Sequence, residues 1–580
     1  MFSKRRTLTV ASIMVLLLAA CGPGAASTPA ATAAPRATAA STATPQPGAT
    51  PASTVTAKPT PTAAPAAQAT PKSGGTLVMW NRQDPRNYDG HSIKSGGYDT
   101  RIMHNLVFSL LLTYPSTKET QCLLSIRPEA AESYQWVSDT ILEIKLRKGI
   151  KFQNRPPVNG REVTAQDVVY SMDRGIKQDR IRGSEGMAPY LKKIEALDRY
   201  TVRFETDRPL PSLLSDGLAS MYGAVILPSE VVEPYGGWND PRKSYIGSGP
   251  YTFSEHVPGV KVVFDKHKDY FKPGLPYADR IVQLIVPDPS TMLATVASGK
   301  MDIAQDRVDL PLARATARMP QKPQVQRCPH TSPRNRLAMR TDLAPFNDVR
   351  VRRAISMAID REGLIKSVLE GEGEIGAPFG PIHPWFISPK DLPAETRKYL
   401  EYNPQEAKRL LAEAGYPTGF NVTIATNSLY GTIYLGFVQG VADELSKVGI
   451  KAKIEMQESV AFGRTTAVGD YPSMAVTSDS ISEVYLAFSG LTPAADFNLN
   501  KNHIADPELR KLYEQLAVAV DDKKARDIAY KLQVKVVDEA MDLRLPSYYD
   551  YSIIQPWVKG YYMNVARYTS TWAEALWLDR

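Results

Sequence analysis

The side chains best able to do chemistry in this chain are three cysteines and seven histidines, and their spacing limits what that chemistry can be. Cys21 closes a 13-residue apolar run, Leu8 to Ala20, that follows Lys4-Arg5-Arg6. A thiol placed there invites covalent modification at a processed N-terminus. Cys122 and Cys328 stand far apart in sequence. An oxidising compartment would permit a bridge between them, but a large core does not need one, so they read as two separate buried thiols. The histidines are scattered, with no His-Glu-x-x-His, and Cys-x-x-Cys is absent. A structural zinc or a zinc hydrolase is therefore disfavoured, and neither a metal site nor a cofactor is expected. No Gly-x-Ser-x-Gly elbow occurs either. A surface hydrolase would have to assemble its nucleophile and base from residues distant in sequence, and nothing in the spacing points to such a set.

The basic start, the apolar run and the small residues Ala19 and Ala20 form a secretory signal over residues 1–20. The run is too short to span a membrane, which takes about 20 apolar residues. Leu18-Ala19-Ala20-Cys21 resembles a bacterial lipobox, in which the Cys is diacylated and becomes the mature N-terminus. Residues 21–73 then form a lipidated Cys and a disordered tether of Ala, Thr and Pro, with no Asp or Glu through residue 72. Such a segment cannot bury enough apolar surface to offset its ordering entropy. Extended at no more than about 3.1 Å per residue, it would hold a domain on the order of 100 Å from its anchor.

The formal charge of +8 is misleading. Lys4, Arg5, Arg6, Arg36, Lys58 and Lys72 lie on or beside the signal and tether, and subtracting those six leaves +2 for the rest. No dense Lys/Arg stripe argues for nucleic acid. The chain from residue 74 onward is long enough for two or three domains.

Periodicity places the elements. Order begins near Gly74, and Gly74 to Trp80, where Leu77 and Met79 alternate with Val78, reads as a first strand. From Thr140 to Arg147, Leu142, Ile144 and Leu146 share one face and Glu143, Lys145 and Arg147 the other, a half-buried strand. Thr164 with Asp167 is a capping-box variant that opens a helix. Asn403-Pro404 starts another helix and Gly415 stops it. A strand at Phe420–Ala425, a helix at about Thr432–Val448 and a strand alternating through Ile450, Ala452, Ile454 and Met456 form a βαβ unit with parallel neighbours. Asp506-Pro507 and Asp521-Asp522 open two more helices, the second running to about Met541. Residues 546–580 turn strand-like and aromatic, which suggests that the chain returns to an earlier sheet.

Four segments carry a family resemblance. They are Leu142–Phe152 followed by Asn159–Ser171; Gly247-Ser248-Gly249-Pro250-Tyr251; Pro345–Arg361, which contains Val349-Arg350-Val351-Arg352-Arg353; and Asn403–Tyr416. In order and spacing they resemble the family 5 extracellular solute-binding proteins of ABC importers, the dipeptide, oligopeptide and nickel group, over residues 74–580. Each segment also has an architectural reading. Gly247–Tyr251 lacks the Lys-Ser/Thr of a phosphate loop and suits a tight turn into a strand. In the third segment Val349, Ala354, Ile355 and Ile359 would face a core, with the arginines solvated or paired.

The resemblance implies an α/β, two-lobed periplasmic-binding-protein-like fold of class II, with an extra subdomain and mixed sheets flanked by helices. Lobe I would be discontinuous, taking 74–325 with an inserted subdomain at about 110–235, and again 548–580. Lobe II would take 326–547. It implies binding rather than catalysis: an extracytoplasmic receptor, lipid-anchored at Cys21 on the cell surface or in the periplasm. As a monomer it would capture a solute between hinged lobes and deliver it to an ABC permease and its ATPase. A peptide heads the ligand classes, with an oligosaccharide, an opine or a nickel chelate as alternatives. In peptide-binding members the Asp of a Trp-x-x-Asp segment pairs with the peptide's α-ammonium. Asp479 occupies that position here, but Val476 replaces the Trp, so Asp479 reads either as that anchor or as a cap in a Ser/Thr-rich loop. Trp80, Asn81 and Arg82 follow the first strand, where family members line the pocket. Trp385 lies in a Pro-rich loop, and Asn427 and Tyr430 follow the strand that starts at Phe420. Each of these could instead be ordinary packing.

Overall fold

The computed structural model describes residues 70–85, 87–91, 98–177, 187–219, 225–232, 240–329, 335–376, 378–427, 431–467, 469–478, 485, 502–563 and 571–580. They belong to a compact unit, Ala69–Arg580. Lobe I is built on an eight-stranded sheet. Its order is Gln324–Pro329, Ser547–Ile554, Ile303–Val308, Thr76–Asn81, Arg280–Ile285, Lys261–Lys266 and Tyr251–Val257, with Gly373–Glu374 pairing off this path to Ser547–Ile554. Thr76–Asn81 runs parallel to Arg280–Ile285 and to Ile303–Val308, whereas Ser547–Ile554 is antiparallel to both of its long neighbours. Lobe I is therefore discontinuous in sequence, completed by a strand from near the C-terminus.

Lobe II holds a five-stranded sheet ordered Lys451–Met456, Asn421–Thr426, Met474–Ser478, Asn335–Met339 and Leu543–Arg544. The first three are mutually parallel, and Asn335–Met339 is antiparallel to both its neighbours. The βαβ unit read from the sequence is Asn421–Thr426, helix Thr432–Ser446 and Lys451–Met456. Its helix buries Tyr434, Phe437, Val438, Val441 and Leu445, an i, i+3, i+4, i+7, i+11 stripe, against the sheet.

A separate four-stranded antiparallel sheet, Ala131–Ser138, Ile141–Leu146, Thr201–Thr206 and Leu191–Ala196, has its own core. Leu142, Ile144 and Leu146 are fully buried there, each stabilising by about 1.5–3 kcal/mol through lost apolar exposure. Helix Ala165–Met172 closes this core. The Asp167 carboxylate accepts from Thr164 N at 2.8 Å and takes both ends of the Arg161 guanidinium.

The turn and cap signals hold up locally. Asn403 accepts from Glu406 N at 3.0 Å, and Gly415 sits at φ +92. Asp506 and Asp521 cap helices Pro507–Ala517 and Asp522–Asp538, the second ending three residues short of Met541. Gly247–Tyr251 is indeed a turn into a strand. One correction concerns helix Val349–Ala358. Its core face is Val351, Ala354, Ile355 and Ala358, with Ile359 just beyond, while Val349 is only half-buried. Of its arginines, Arg350 pairs with Asp348 and Arg353 with Asp538, but Arg352 is buried and donates to three backbone carbonyls.

A second correction concerns the thiols. Cys122 and Cys328 are joined in a disulfide, with Cα atoms 5.4 Å apart. Sequence spacing concealed this because the loop holding Cys122 folds onto the strand Gln324–Pro329 only in three dimensions; Cys122 N also bonds to Met563 O. Among the described residues no helix is long and apolar enough to cross a membrane. Cys21, with the signal and nearly all of the tether, lies outside the described residues.

Candidate functional site

The strand directions fix where a ligand cleft must lie. Pro329 pairs with Tyr549 and Val308 with Tyr551, so Gln324–Pro329 and Ile303–Val308 point the same way and end near the start of Ser547–Ile554. From Pro329 the chain enters lobe II at Asn335, which pairs with Ser478 at the carboxyl end of Met474–Ser478. It returns between Arg544 and Ser547. Both crossings thus join the carboxyl ends of parallel strands in the two sheets, the end at which α/β sheets present ligands.

Several sequence candidates lie at these ends. Asn81 is the last residue of Thr76–Asn81 and is buried; its Oδ1 accepts from Arg82 N at 3.1 Å. Arg82, half-buried, follows at the same strand end. Trp80 points to the opposite face, into a core with Met292, Val296 and Tyr551, and donates its indole N–H to Val286 O at 2.9 Å. In lobe II, Asn427 is buried immediately beyond Asn421–Thr426, beside the carboxyl end of Met474–Ser478. Val476, at the position where the family Trp would stand, is fully buried in the lobe II core and accepts a hydrogen bond from Tyr434. Trp385 is set apart from these strand ends. It packs in a core with Phe379 and helices Pro507–Ala517 and Asp522–Asp538, edge-on to Tyr485 at 5.0 Å. Tyr430 and Asp479 lie outside the described residues.

Residues that the sequence reading passed over surround the crossing. Glu372 belongs to the lobe II segment after helix Arg361–Val368, yet it bonds Arg327 at 2.7 Å, Arg314 at 3.4 Å and the Tyr551 hydroxyl at 3.0 Å. Glu370 pairs with the same Arg314. Burial pushes the Glu372 carboxyl up, but the Tyr551 hydroxyl and the two guanidiniums outweigh it and hold the group below the usual carboxylate range. Glu374 takes the Tyr549 hydroxyl at 2.7 Å, and burial with that bond pushes the phenol up to about 12. Asn335, the first residue of Asn335–Met339, and Gln305, the third of Ile303–Val308, are buried polar residues two positions from Leu337 and Ile303 respectively. A polar side chain at an inward period-2 position was the available signal for both.

Lobe II also meets the four-stranded subdomain. Leu124 packs on the subdomain core and on the core that holds Trp385. Burial and the nearby Asp216 carboxylate of the subdomain push the Tyr513 phenol up to about 12. Among the described residues no group of three or more His, Cys, Asp or Glu could hold a metal ion.

Residues 125–483 match the family described as bacterial extracellular solute-binding proteins, family 5, middle region. Heme-binding protein A of Haemophilus influenzae is 32% identical over 313 residues, 51% of this chain and 55% of that protein, so the match spans about half of the relative. The oligopeptide-binding protein AppA of Bacillus subtilis is 27% identical over 420 residues, 67% of this chain and 70% of that one. Among solved structures, the periplasmic binding protein DppA of Helicobacter pylori in complex with the peptide STSA superposes with a TM-score of 0.71 at 24% identity, covering 88% of this chain and 99% of that one. That likeness establishes the two-lobed α/β fold, and the match over residues 125–483 establishes the family: this chain belongs to the bacterial extracellular solute-binding proteins of family 5.

Proposed function

We propose that this protein is the lipid-anchored receptor of an ABC importer, which captures a peptide between its two lobes outside the cytoplasm and passes it to the membrane permease. The observation that carries the reading is the paired crossing. Two chain passages join the carboxyl ends of both sheets, so a solute seated there touches both lobes and favours their closure. Micromolar capture would take about −8 kcal/mol net, attainable with one charged anchor and aromatic or amide walls. No covalent step is required. Diacylation at Cys21 and the Ala/Thr/Pro tether would hold the receptor near its permease and raise its effective concentration. Asp479 would meet a peptide's α-ammonium, with Asn81, Arg82 and Asn427 at the strand ends and Tyr430 three residues after Asn427 in sequence; Trp80 and Trp385, packed in cores away from these ends, take no part.

The test is thermal stabilisation of the purified mature chain by di- to nonapeptides, glutathione, opines, oligosaccharides and hemin, together with mass spectrometry of copurified small molecules. Peptides should raise Tm, and Asp479→Ala should weaken them by at least 10-fold. Stabilisation by a non-peptide alone would overturn the peptide assignment. Unchanged peptide affinity in Asp479→Ala would overturn the ammonium role.

A further inference from the structure

Four polar side chains form one row across the lobe I sheet, level with Asn81, the last residue of its strand, and three residues short of the carboxyl ends Val308 and Pro329. Gln326 pairs with Ser552 and Ser552 with Gln305. On the neighbouring strand Met79 pairs in parallel with Ile303, so two residues further on Asn81 falls beside Gln305, on the same face. The Gln326 half of the row is satisfied by the segment 561–563. Gln326 donates to Tyr561 O and accepts from Met563 N, and Ser552 meets the Tyr561 hydroxyl at 2.9 Å.

The other half is not satisfied in the same way. Asn81 and Gln305 are 3% and 2% exposed, and among the described residues neither Asn81 Nδ2 nor Gln305 Nε2 has a hydrogen-bond partner. Their oxygens are already used. Asn81 Oδ1 accepts from Arg82 N, a donor only, which fixes the amide's orientation; Gln305 Oε1 accepts from the Tyr561 hydroxyl at 3.0 Å. Asn81 Nδ2 and Gln305 Nε2, on adjacent strands whose backbones run about 4.8 Å apart, are therefore left as donors. Buried donors are nearly always paired in native proteins, and those that are not call for a specific partner. A donor-only pair suits an acceptor and not an ammonium, and Arg82 brings a cation to the same strand end.

We propose that Asn81 and Gln305 form a donor pair that takes a carboxylate oxygen of the bound solute. Asp479 and this pair would then read opposite ends of one zwitterionic ligand from opposite lobes. The inference rests on the cleft assignment above and names the group that the lobe I side recognises.

Calorimetric titration of the mature chain with Ala-Ala-Ala and with its C-terminal amide tests it. Wild type should bind the free acid at least 10-fold more tightly. Gln305→Met and Asn81→Leu should each weaken the acid by about 10-fold or more and the amide by less than 3-fold. Unchanged acid affinity in both variants, or equal losses for acid and amide, would overturn the proposal. Ligand-free Tm supplies a second readout, because Tyr561 keeps its bond to Ser552 when Gln305 is replaced. A Tm equal to or above wild type in Gln305→Met supports a donor held for the ligand, and a fall of several degrees shows a structural bond and overturns the pair. If neither probe binds wild type, the peptide reading falls separately, and the Tm result still judges the pair.

Discussion

Cys122 and Cys328 are bonded to each other across 206 residues of chain, and Pro329, the neighbour of Cys328, is the last residue of lobe I before the crossing to Asn335. The bridge therefore fastens the segment that carries Leu124, itself in contact with both the subdomain and lobe II cores, to the base of the crossing.

A loop of that length loses much unfolded-state entropy when closed, and the chain-entropy argument gives a stabilisation of about 5 kcal/mol as an upper figure. Cys122→Ser with Cys328→Ser, or reduction of wild type, should lower Tm by several degrees in calorimetry. Because Leu124 is held by this segment, the double variant should also weaken ligand-induced stabilisation. A scan that reductant leaves unchanged would show that the bridge is not formed in solution.

Lys272 sits between two buried carboxylates, 2.9 Å from Glu129 and 2.8 Å from Glu574, and the Tyr270 hydroxyl adds a 2.5 Å bond to Glu574. Burial first, and then the neighbouring Glu129 charge, push Glu574 from the ordinary 4.5 up to about 7. The folded chain therefore keeps a proton in this window that the unfolded chain has lost, and stability must fall as pH rises from about 4.5 to about 7. Glu574→Gln lacks that titration. Denaturant unfolding between pH 5 and 8 should show the variant gaining on wild type with rising pH, by about 1–3 kcal/mol in total. Parallel stability curves would refute the assignment.

Glu372 couples the lobes through Arg314 and Arg327 beside the crossing strand. These arginines are half exposed, so each pair is worth only about 0.2–1 kcal/mol, enough to shift a lobe-opening equilibrium up to ~5-fold without threatening the fold. In ligand-free protein, small-angle scattering or inter-lobe fluorescence transfer should change in Glu372→Gln. Wild type should drift toward the variant's value between 0.05 and 0.5 M salt, as screening predicts. An identical salt response in both proteins would remove Glu372 from the hinge balance.

Local patterns carried most of the fold. Alternation exposed Ile141–Leu146, caps exposed the helices at Pro404, Pro507 and Asp522, and the βαβ spacing exposed the parallel core of lobe II. Each of these signals lies within one short stretch of chain, the longest being the βαβ unit Asn421–Met456, where local chain geometry decides. The disulfide, the Glu372 pairs and the Asn81–Gln305 row join residues tens to hundreds of positions apart, and only the register of the assembled sheets brings them together. Trp80 shows the other limit: following the first strand placed it near the cleft, but strand alternation turns its ring into the core on the far face. Asp479 and Tyr430 remain sequence expectations, because they lie outside the described residues.

The glycines of Gly247–Tyr251 are there for space. A Cβ on Gly247 would lie 2.2 Å from Val107 O and 2.5 Å from the Phe108 ring, and one on Gly249 would lie 2.7 Å from Leu106 O. Gly249 N also donates to Val107 O at 2.8 Å, so the turn is clamped to the end of helix Tyr98–Val107. The atoms in the way are mostly backbone and cannot swing aside. Gly247→Ala should therefore cost about 3–5 kcal/mol or leave the chain insoluble. Gly259 is the control. It sits at φ +71 with nothing within 4 Å of a built Cβ, so Gly259→Ala meets only the left-handed backbone penalty of about 1–2 kcal/mol. Equal costs in the two variants, measured by denaturant unfolding, would show that backbone conformation and not the close approach selects glycine at position 247.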